Sequence, residues 1–289
     1  MTPTEQPEAG CLYVVATPIG NLEDITLRAL RVLREADVIA CEDTRETQKL
    51  LQRYEIQSRL VSYHEHNEMM RSAELIIELE QGAKVALVSD AGTPVISDPG
   101  HRLVSLCLRH DIPVVPVPGP SALVAALAAS GLPTAEFLFV GFLPARAAPR
   151  RKALQRLAAE PRTIVFYEAP HRLKDMLADA AEILGPRRAV IAREVTKLHE
   201  EFLRGRAGEV LENLKAREAV KGEITLLIGK AEVSDARVGT GAPARLSVRE
   251  RVEQIMAEEK VDEKAALKKV AKERGVSKSE AYRELQRSK

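Results

Sequence analysis

Short β-branched runs alternate with longer helical patterns through the first half of the chain, and three of the runs end in turns rich in glycine and proline. Leu12–Thr17, Val38–Cys41, Val85–Ser89 and Val114–Val117 read as buried strands. The residues between them read as helices: a stretch with Ile25, Leu27, Leu30, Leu33 and Ala36 near one face, N-capped by Asp24, then Thr44–Tyr54, Asn67–Glu80, His101–His110 and Ser121–Ser130. This alternation predicts an α/β fold with a mostly parallel sheet covered on both faces. A boundary falls at Gly131–Thr134. Beyond it Phe137–Val140, Thr163–Tyr167, Ala189–Arg193, a segment near Phe202 and Ile224–Ile228 read as strands of a second α/β unit. The expected organisation is 11–131 for the first α/β domain, 132–232 for the second, 233–245 for a linker and 246–289 for a small helical domain. In the last piece Ala265–Arg274, the turn Gly275-Val276-Ser277 and Lys278–Gln286 have the order of a helix-turn-helix.

The three turns are Thr17–Asn21, Ser89–Pro94 and Pro116–Ser121, and the second runs on to Gly100. Ligands of open parallel sheets bind at the carboxyl ends of the strands, where these turns lie. None is a phosphate loop, since neither Gly-x-x-x-x-Gly-Lys-Ser/Thr nor a full Gly-x-Gly-x-x-Gly occurs. Their prolines also remove amide donors that a phosphate would use. The ligand they suit is polar, and cationic or zwitterionic opposite Asp90. Three scattered cysteines, Cys11, Cys41 and Cys107, argue against a disulfide framework or a zinc cluster and for thiols in a reducing cytoplasm. No metal is expected. The longest apolar runs, such as Ala122–Ala129, fall short of the roughly 20 residues a membrane helix needs. Met1–Gly10 lacks the pattern of a secretory signal.

A longer series of motifs resembles one family. Val15–Thr26, Glu42-Asp43-Thr44-Arg45, Ser89–Gly100, Pro118–Ala122, Gly141–Pro144, Tyr167–Arg172 and Arg193–Lys197 occur in the order found in the ribosomal RNA small subunit methyltransferase I family. That family lies within the tetrapyrrole methylase superfamily. The resemblance covers about Leu12 to Lys230, with Val195 where leucine is more usual. It implies two α/β domains with S-adenosylmethionine in the cleft between them, and a homodimer. It further implies transfer of methyl to the 2′-hydroxyl of a cytidine of 16S rRNA at the decoding centre of the small ribosomal subunit. Carried over residue by residue, the donor pocket is Pro18, Ile19, Gly20, Asp90, Gly92, Thr93, Ser121, Ala122, Tyr167 and Ala169, with a further contribution near Glu223–Ile224.

Glu168, Glu194 and Lys197 are the candidates for a group that assists the hydroxyl. The competing reading makes the carboxylates at these strand ends ion-pair partners of Arg45, Arg172 or Arg193. For RNA, the net charge of +1 is uninformative until its distribution is read. Arg146, Arg150, Arg151, Lys152, Arg156 and Arg162 share a stretch whose only acid is Glu160, so a basic patch without opposite-sign cover is expected there. Arg45, His171 and Arg172 join it as candidate RNA contacts. Aromatic residues make up only 3% of the chain, so RNA should be held through phosphate and shape with little base stacking. Two rival readings are methylation of a tetrapyrrole or other small molecule, and a non-catalytic RNA-binding assembly protein.

Overall fold

In a computed structural model describing residues 10–230, 252–253, 255–256 and 261–274, the alternating pattern becomes two five-stranded sheets. The first contains β1 (Cys11–Val15), β2 (Val38–Cys41), β3 (Arg59–Ser62), β4 (Lys84–Leu87) and β5 (Val114–Val117) in the order β3-β2-β4-β1-β5, every pair parallel. Its connecting helices divide by direction of travel. α1 (Leu27–Glu35) and α2 (Thr44–Arg53) follow strands that step towards β3, and they close one face with Ala29, Leu33 and Leu51. α3 (Glu68–Glu80) and α4 (His101–Arg109) follow strands that step back towards β5, and they close the other with Leu75, Leu79 and Leu103. Right-handed crossovers require this division, because reversing the step moves the helix to the opposite face.

The helix starts differ from expectation in one place. Asp24 does not cap α1: it ends a 3-10 turn, Leu22–Asp24, and Thr26 caps the helix by accepting from the Ala29 amide at 3.0 Å. β3 has no counterpart in the sequence reading. It is a four-residue edge strand with only Leu60 and Val61 apolar, too short to show a period.

The second sheet contains β6 (Phe137–Phe142), β7 (Thr163–Glu168), β8 (Arg188–Arg193), β9 (Glu201–Arg206) and β10 (Ile224–Ile228) in the order β6-β7-β10-β8-β9. Only β6 and β7 run parallel; the other pairs are antiparallel. α6 (Ala147–Arg156), α7 (Leu173–Leu184) and α8 (Ala207–Lys215) cover the face presented by Ile164, Phe166, Ile191 and Leu226. The intervening residues Val165, Val190, Ala192 and Leu227 point the other way, as period-two alternation requires. That face is met by α5 (Ala122–Ser130) through Ala126 and Leu127. α5 follows the last strand of the first sheet yet buries its core residues against the second, so it ties the halves together.

The chain divides into two compact units, Met1–Asp235 and Ala236–Lys289. Both sheets belong to the first. In the second, α9 (Glu263–Arg274) packs Ala266, Leu267, Val270 and Ala271 around Val252 and Ile255. The expected linker at 233–245, the Gly275–Ser277 turn and the helix at Lys278–Gln286 lie outside the described residues. Among the described residues no helix is long and apolar enough to cross a membrane.

Candidate active site

The strand order of the first sheet sets the position of a crevice. β1 and β4 are neighbours, but the chain leaving β1 crosses towards β2 while the chain leaving β4 crosses towards β5. The two loops part to opposite faces of the sheet, with α1 on one and α4 on the other, which leaves room at the strand ends, and ligands of parallel sheets sit at such a reversal. Here the loops are the first two glycine- and proline-rich turns. They are stitched at their base: the Thr17 amide donates to the Gly92 carbonyl at 2.8 Å and the Gly92 amide returns to the Thr17 carbonyl at 3.1 Å. The Thr17 hydroxyl donates to the Ser89 carbonyl at 3.0 Å. The Thr93 hydroxyl reaches the Pro120 carbonyl at 3.2 Å and so draws in the third turn.

A cavity of about 370 Å³ lies between these turns and the second sheet. The first half contributes Ile19, Asp90, Gly92, Thr93, Ser121 and Ala122; the second contributes Tyr167, Ala169 and the β10 residues Ile224 and Thr225. A neighbouring cavity of about 310 Å³ shares Ile19, Asp90, Ala91 and Glu223 with it. Of the ten expected donor residues, Pro18 and Gly20 line the second cavity and the other eight line the first. Backbone strain collects at the same cleft. Val95 and Ser97 on one side, and Glu194 and Thr196 on the other, have φ between 51° and 75° without being glycine. Such conformations cost about 1–3 kcal/mol each and persist where the surrounding structure enforces them, often at functional sites.

The electrostatics favour a cation. Asp98 faces the first cavity, and burial, reinforced by the charge of Glu42, raises its pKa from the ordinary 3.8 to about 6. Burial likewise raises Asp90 and Glu42. The sequence reading passed over Asp98, whose only signal was its place in the long second turn. A positive ligand favours its ionised form, so affinity for a cationic donor is expected to rise with pH through about 6. Titration calorimetry between pH 5 and 8 checks this, and Asp98→Asn should flatten the profile. The stability of the ligand-free protein should move the opposite way. The folded state holds this proton more tightly than the unfolded chain, so the stabilisation present below pH 3.8 is lost as pH rises through about 6.

The three catalytic candidates separate. Glu168 lines the first cavity, but its side chain is buried against Arg172 at 3.1 Å and accepts from the Ala169 amide at 2.8 Å. It holds the Tyr167–Arg172 segment in place, as the ion-pair reading had it. Glu194 accepts from Lys197 and from the Glu223 amide, both at 2.9 Å, and these bonds hold its carboxyl below the usual range. Burial opposes the charge on Lys197, but hydrogen bonds to Glu194 and Glu223 outweigh it and leave the pKa above the ordinary 10.5. Lys197 is therefore a cation near neutral pH and not a base. Arg193 pairs with Glu201, not with Glu194.

The basic stretch needs correction. The expected lack of opposite-sign cover is overturned by α7, whose carboxylates lie far away in sequence. Arg150 is 5% exposed and donates to Asp179 at 2.7 Å. Arg151 donates to Asp179 at 2.7 Å and pairs with Glu182. Arg162 pairs with Glu160 at 2.6 Å. Arg172 is spent on Glu168 and the Leu143 carbonyl. Arg45 pairs with Asp43, though its side chain stays 84% exposed. Arg146, Lys152, Arg156 and His171 are exposed. Among the described residues no cluster of His, Cys, Asp and Glu is arranged to hold a metal ion.

Comparison with known proteins places this geometry. The family model described as Tetrapyrrole (Corrin/Porphyrin) Methylases matches residues 11–211. A protein of Halalkalibacterium halodurans named ribosomal RNA small subunit methyltransferase I is 50% identical over 281 residues, covering 96% of this chain and 95% of its own. The protein of that name from Escherichia coli O157:H7 is 45% identical, covering 95% and 94%. The chain belongs to the ribosomal RNA small subunit methyltransferase I family, within the tetrapyrrole methylases. Among solved structures, a uroporphyrin-III C-methyl transferase from Thermus thermophilus complexed with S-adenyl homocysteine shares the fold, with a TM-score of 0.54, 24% identity, and 75% and 97% of the two chains covered.

Family membership makes this an S-adenosylmethionine-dependent methyltransferase, and the first cavity fits that molecule. Asp90 and Asp98 would offer negative charge to a sulfonium or an ammonium group, and Ile19, Ile96 and Val195 would offer apolar walls to an adenine. No phosphate cradle is needed for such a ligand.

Proposed function

We propose that this protein methylates the 2′-hydroxyl of a cytidine in 16S rRNA, at the decoding centre of the small ribosomal subunit, with S-adenosylmethionine held in the first cavity. The observation that carries the reading is that cavity: carboxylates on one side, apolar walls on the other, at the strand-order reversal of a methyltransferase fold. Bound there, the donor supplies an electrophilic methyl group. The protein's part is positioning. The Ser89–Gly100 turn brings Asp90 and Asp98 to the donor, α5 brings Ser121 and Ala122, and Tyr167 and Thr225 close the cavity from the second sheet. Fixing nucleophile and methyl about 3–3.5 Å apart and in line converts a bimolecular displacement into an effectively unimolecular one.

An rRNA acceptor is favoured over a tetrapyrrole because relatives named for rRNA methylation align over 95% or more of this chain at 45–50% identity, whereas the tetrapyrrole enzyme above is alike in fold alone. The proposed RNA contacts are the exposed cations Arg45, Arg146, Lys152 and Arg156, with His171 beside them. A homodimer working in the cytoplasm completes the reading.

The test is ribose-methylation mapping of 16S rRNA from cells lacking the protein, with and without complementation. A single cytidine whose methylation disappears and returns supports the proposal; an unchanged map ends it. Reversing Arg146, Lys152 and Arg156 to glutamate should reduce rRNA methylation roughly 10-fold or more at physiological salt and leave donor affinity unaltered. Filter binding at two salt concentrations, beside calorimetry, reads both effects.

A further inference from the structure

The second cavity holds two of the ten expected donor residues, Pro18 and Gly20, and shares a wall with the first, but most of its lining has no part in donor binding as described above. It is lined by Thr17, Pro18 and Gly20 of the first turn, by the α2 residues Glu46, Thr47 and Lys49, and by Lys197 from the loop between β8 and β9. We propose that this cavity takes the ribose of the acceptor nucleotide, against the wall it shares with the donor cavity. The assignment rests on the reading of the protein as an RNA ribose methyltransferase.

Three observations carry it. The first is continuity. In-line transfer needs the acceptor oxygen within about 3–3.5 Å of the methyl carbon, so an acceptor site must open onto the donor site. This cavity abuts the donor cavity at Ile19, Asp90, Ala91 and Glu223, which line both, so the proposal places the acceptor oxygen at that boundary.

The second is chemistry. A ribose presents hydroxyls that donate and accept, and the shared wall offers Asp90 and Glu223 as acceptors with Lys197 as donor. A phosphate would need uncommitted cations, and neither lysine is one. Lys49 sits on Glu46 at 2.7 Å, and Lys197 on Glu194 at 2.9 Å and Glu223 at 3.2 Å. The volume, about 310 Å³, is at the small end of ligand sites and suits one sugar with its base.

The third is the way Lys197 is held. A Cβ on Gly20 would stand 2.3 Å from its Cγ, and a Cβ on Gly222 would stand 2.4 Å from the Cγ of Glu194, so both positions require glycine. The left-handed backbone at Glu194 and Thr196 turns this loop towards the first half, and the Thr196 hydroxyl accepts from the Asn21 amide at 3.2 Å. Glycine at two loops and strain at a third converge on delivering one ammonium to this cavity.

Lys197→Met removes the donor, and Leu22→Trp fills the cavity from its mouth, where Leu22 is 40% exposed. Both are to be compared with the wild type in thermal melts, in calorimetry with S-adenosylmethionine, and in initial rates on small subunits from cells lacking the protein. Both variants should bind the donor within about threefold of wild type and lose roughly 100-fold in kcat/KM for RNA, the scale of a lost charged hydrogen bond or a blocked site. Leu22→Trp alone decides the matter if Lys197→Met melts early. Near-wild-type methylation by Leu22→Trp overturns the proposal. So does a loss of donor affinity matching the loss of rate, which would make the second cavity part of the donor site. A wild-type protein that binds donor but does not methylate the subunit refutes the proposed 16S rRNA acceptor, and the acceptor assignment falls with it.

Discussion

Asp90→Ala is expected to weaken S-adenosylmethionine binding by roughly 10–100-fold, the range of one hydrogen bond to a charged group. Asp90 lies on the wall of both cavities, and burial raises its pKa, so a cation bound beside it would favour its ionised form. One of its oxygens also accepts from the Asp43 amide at 2.9 Å, so alanine loses a loop contact as well as a charge. Asp90→Asn separates the two, since its amide oxygen still accepts from Asp43 while the charge is gone. Calorimetry with the donor should show most of the loss in both variants, with melting points close to wild type. Wild-type affinity in Asp90→Asn would remove this carboxylate from the donor site.

Asp179→Ala should destabilise the first unit by about 3–5 kcal/mol, the cost of leaving a buried charge without its partner. Arg150 is 5% exposed and depends on Asp179 at 2.7 Å, and Arg151 shares the same carboxylate. Denaturant unfolding reads the loss directly as a lower midpoint. By contrast Lys152→Glu, two residues after Arg150 on the exposed side of α6, should stay within about 0.5 kcal/mol of wild type, as surface substitutions do. A midpoint unchanged by Asp179→Ala would show that the network contributes nothing to folding. The contrast matters for RNA binding. Reversing Arg150 would lower methylation by unfolding the domain, and only the exposed cations report on the RNA surface.

The three turns after β1, β4 and β5 were legible because glycine and proline announce turns wherever they occur, and eight of the ten donor residues that the family resemblance placed on them and on the Tyr167–Ala169 segment line one cavity. The strands β1, β4 and β5 were legible from apolar runs bounded by those turns, and β2 and β10 from apolar runs alone. β3 was not, because four residues at a sheet edge carry no period. Asp24 looked like the cap of α1 because the sequence does not reveal that Asp24 closes a 3-10 turn and that the helix starts only after Thr26. α5 was readable as a helix, but not as one that buries its side chains on the second sheet.

By itself the sequence determined the order of strands, helices and turns apart from β3, and the family, since these reside in local patterns and ordered motifs. Only the tertiary structure decided which charges are free. Arg150 and Asp179 are 29 residues apart and meet because α6 and α7 pack side by side. A charge count along the chain is blind to that contact. The same holds at the cleft, where burial makes Asp98 a weaker acid, and where Lys197 stays a cation against its burial because Glu194 and, from a distant loop, Glu223 pair with it. Desolvation and hydrogen bonding act through space, so the chemistry of the site was set by the packing of the two sheets and not by the order of residues along either.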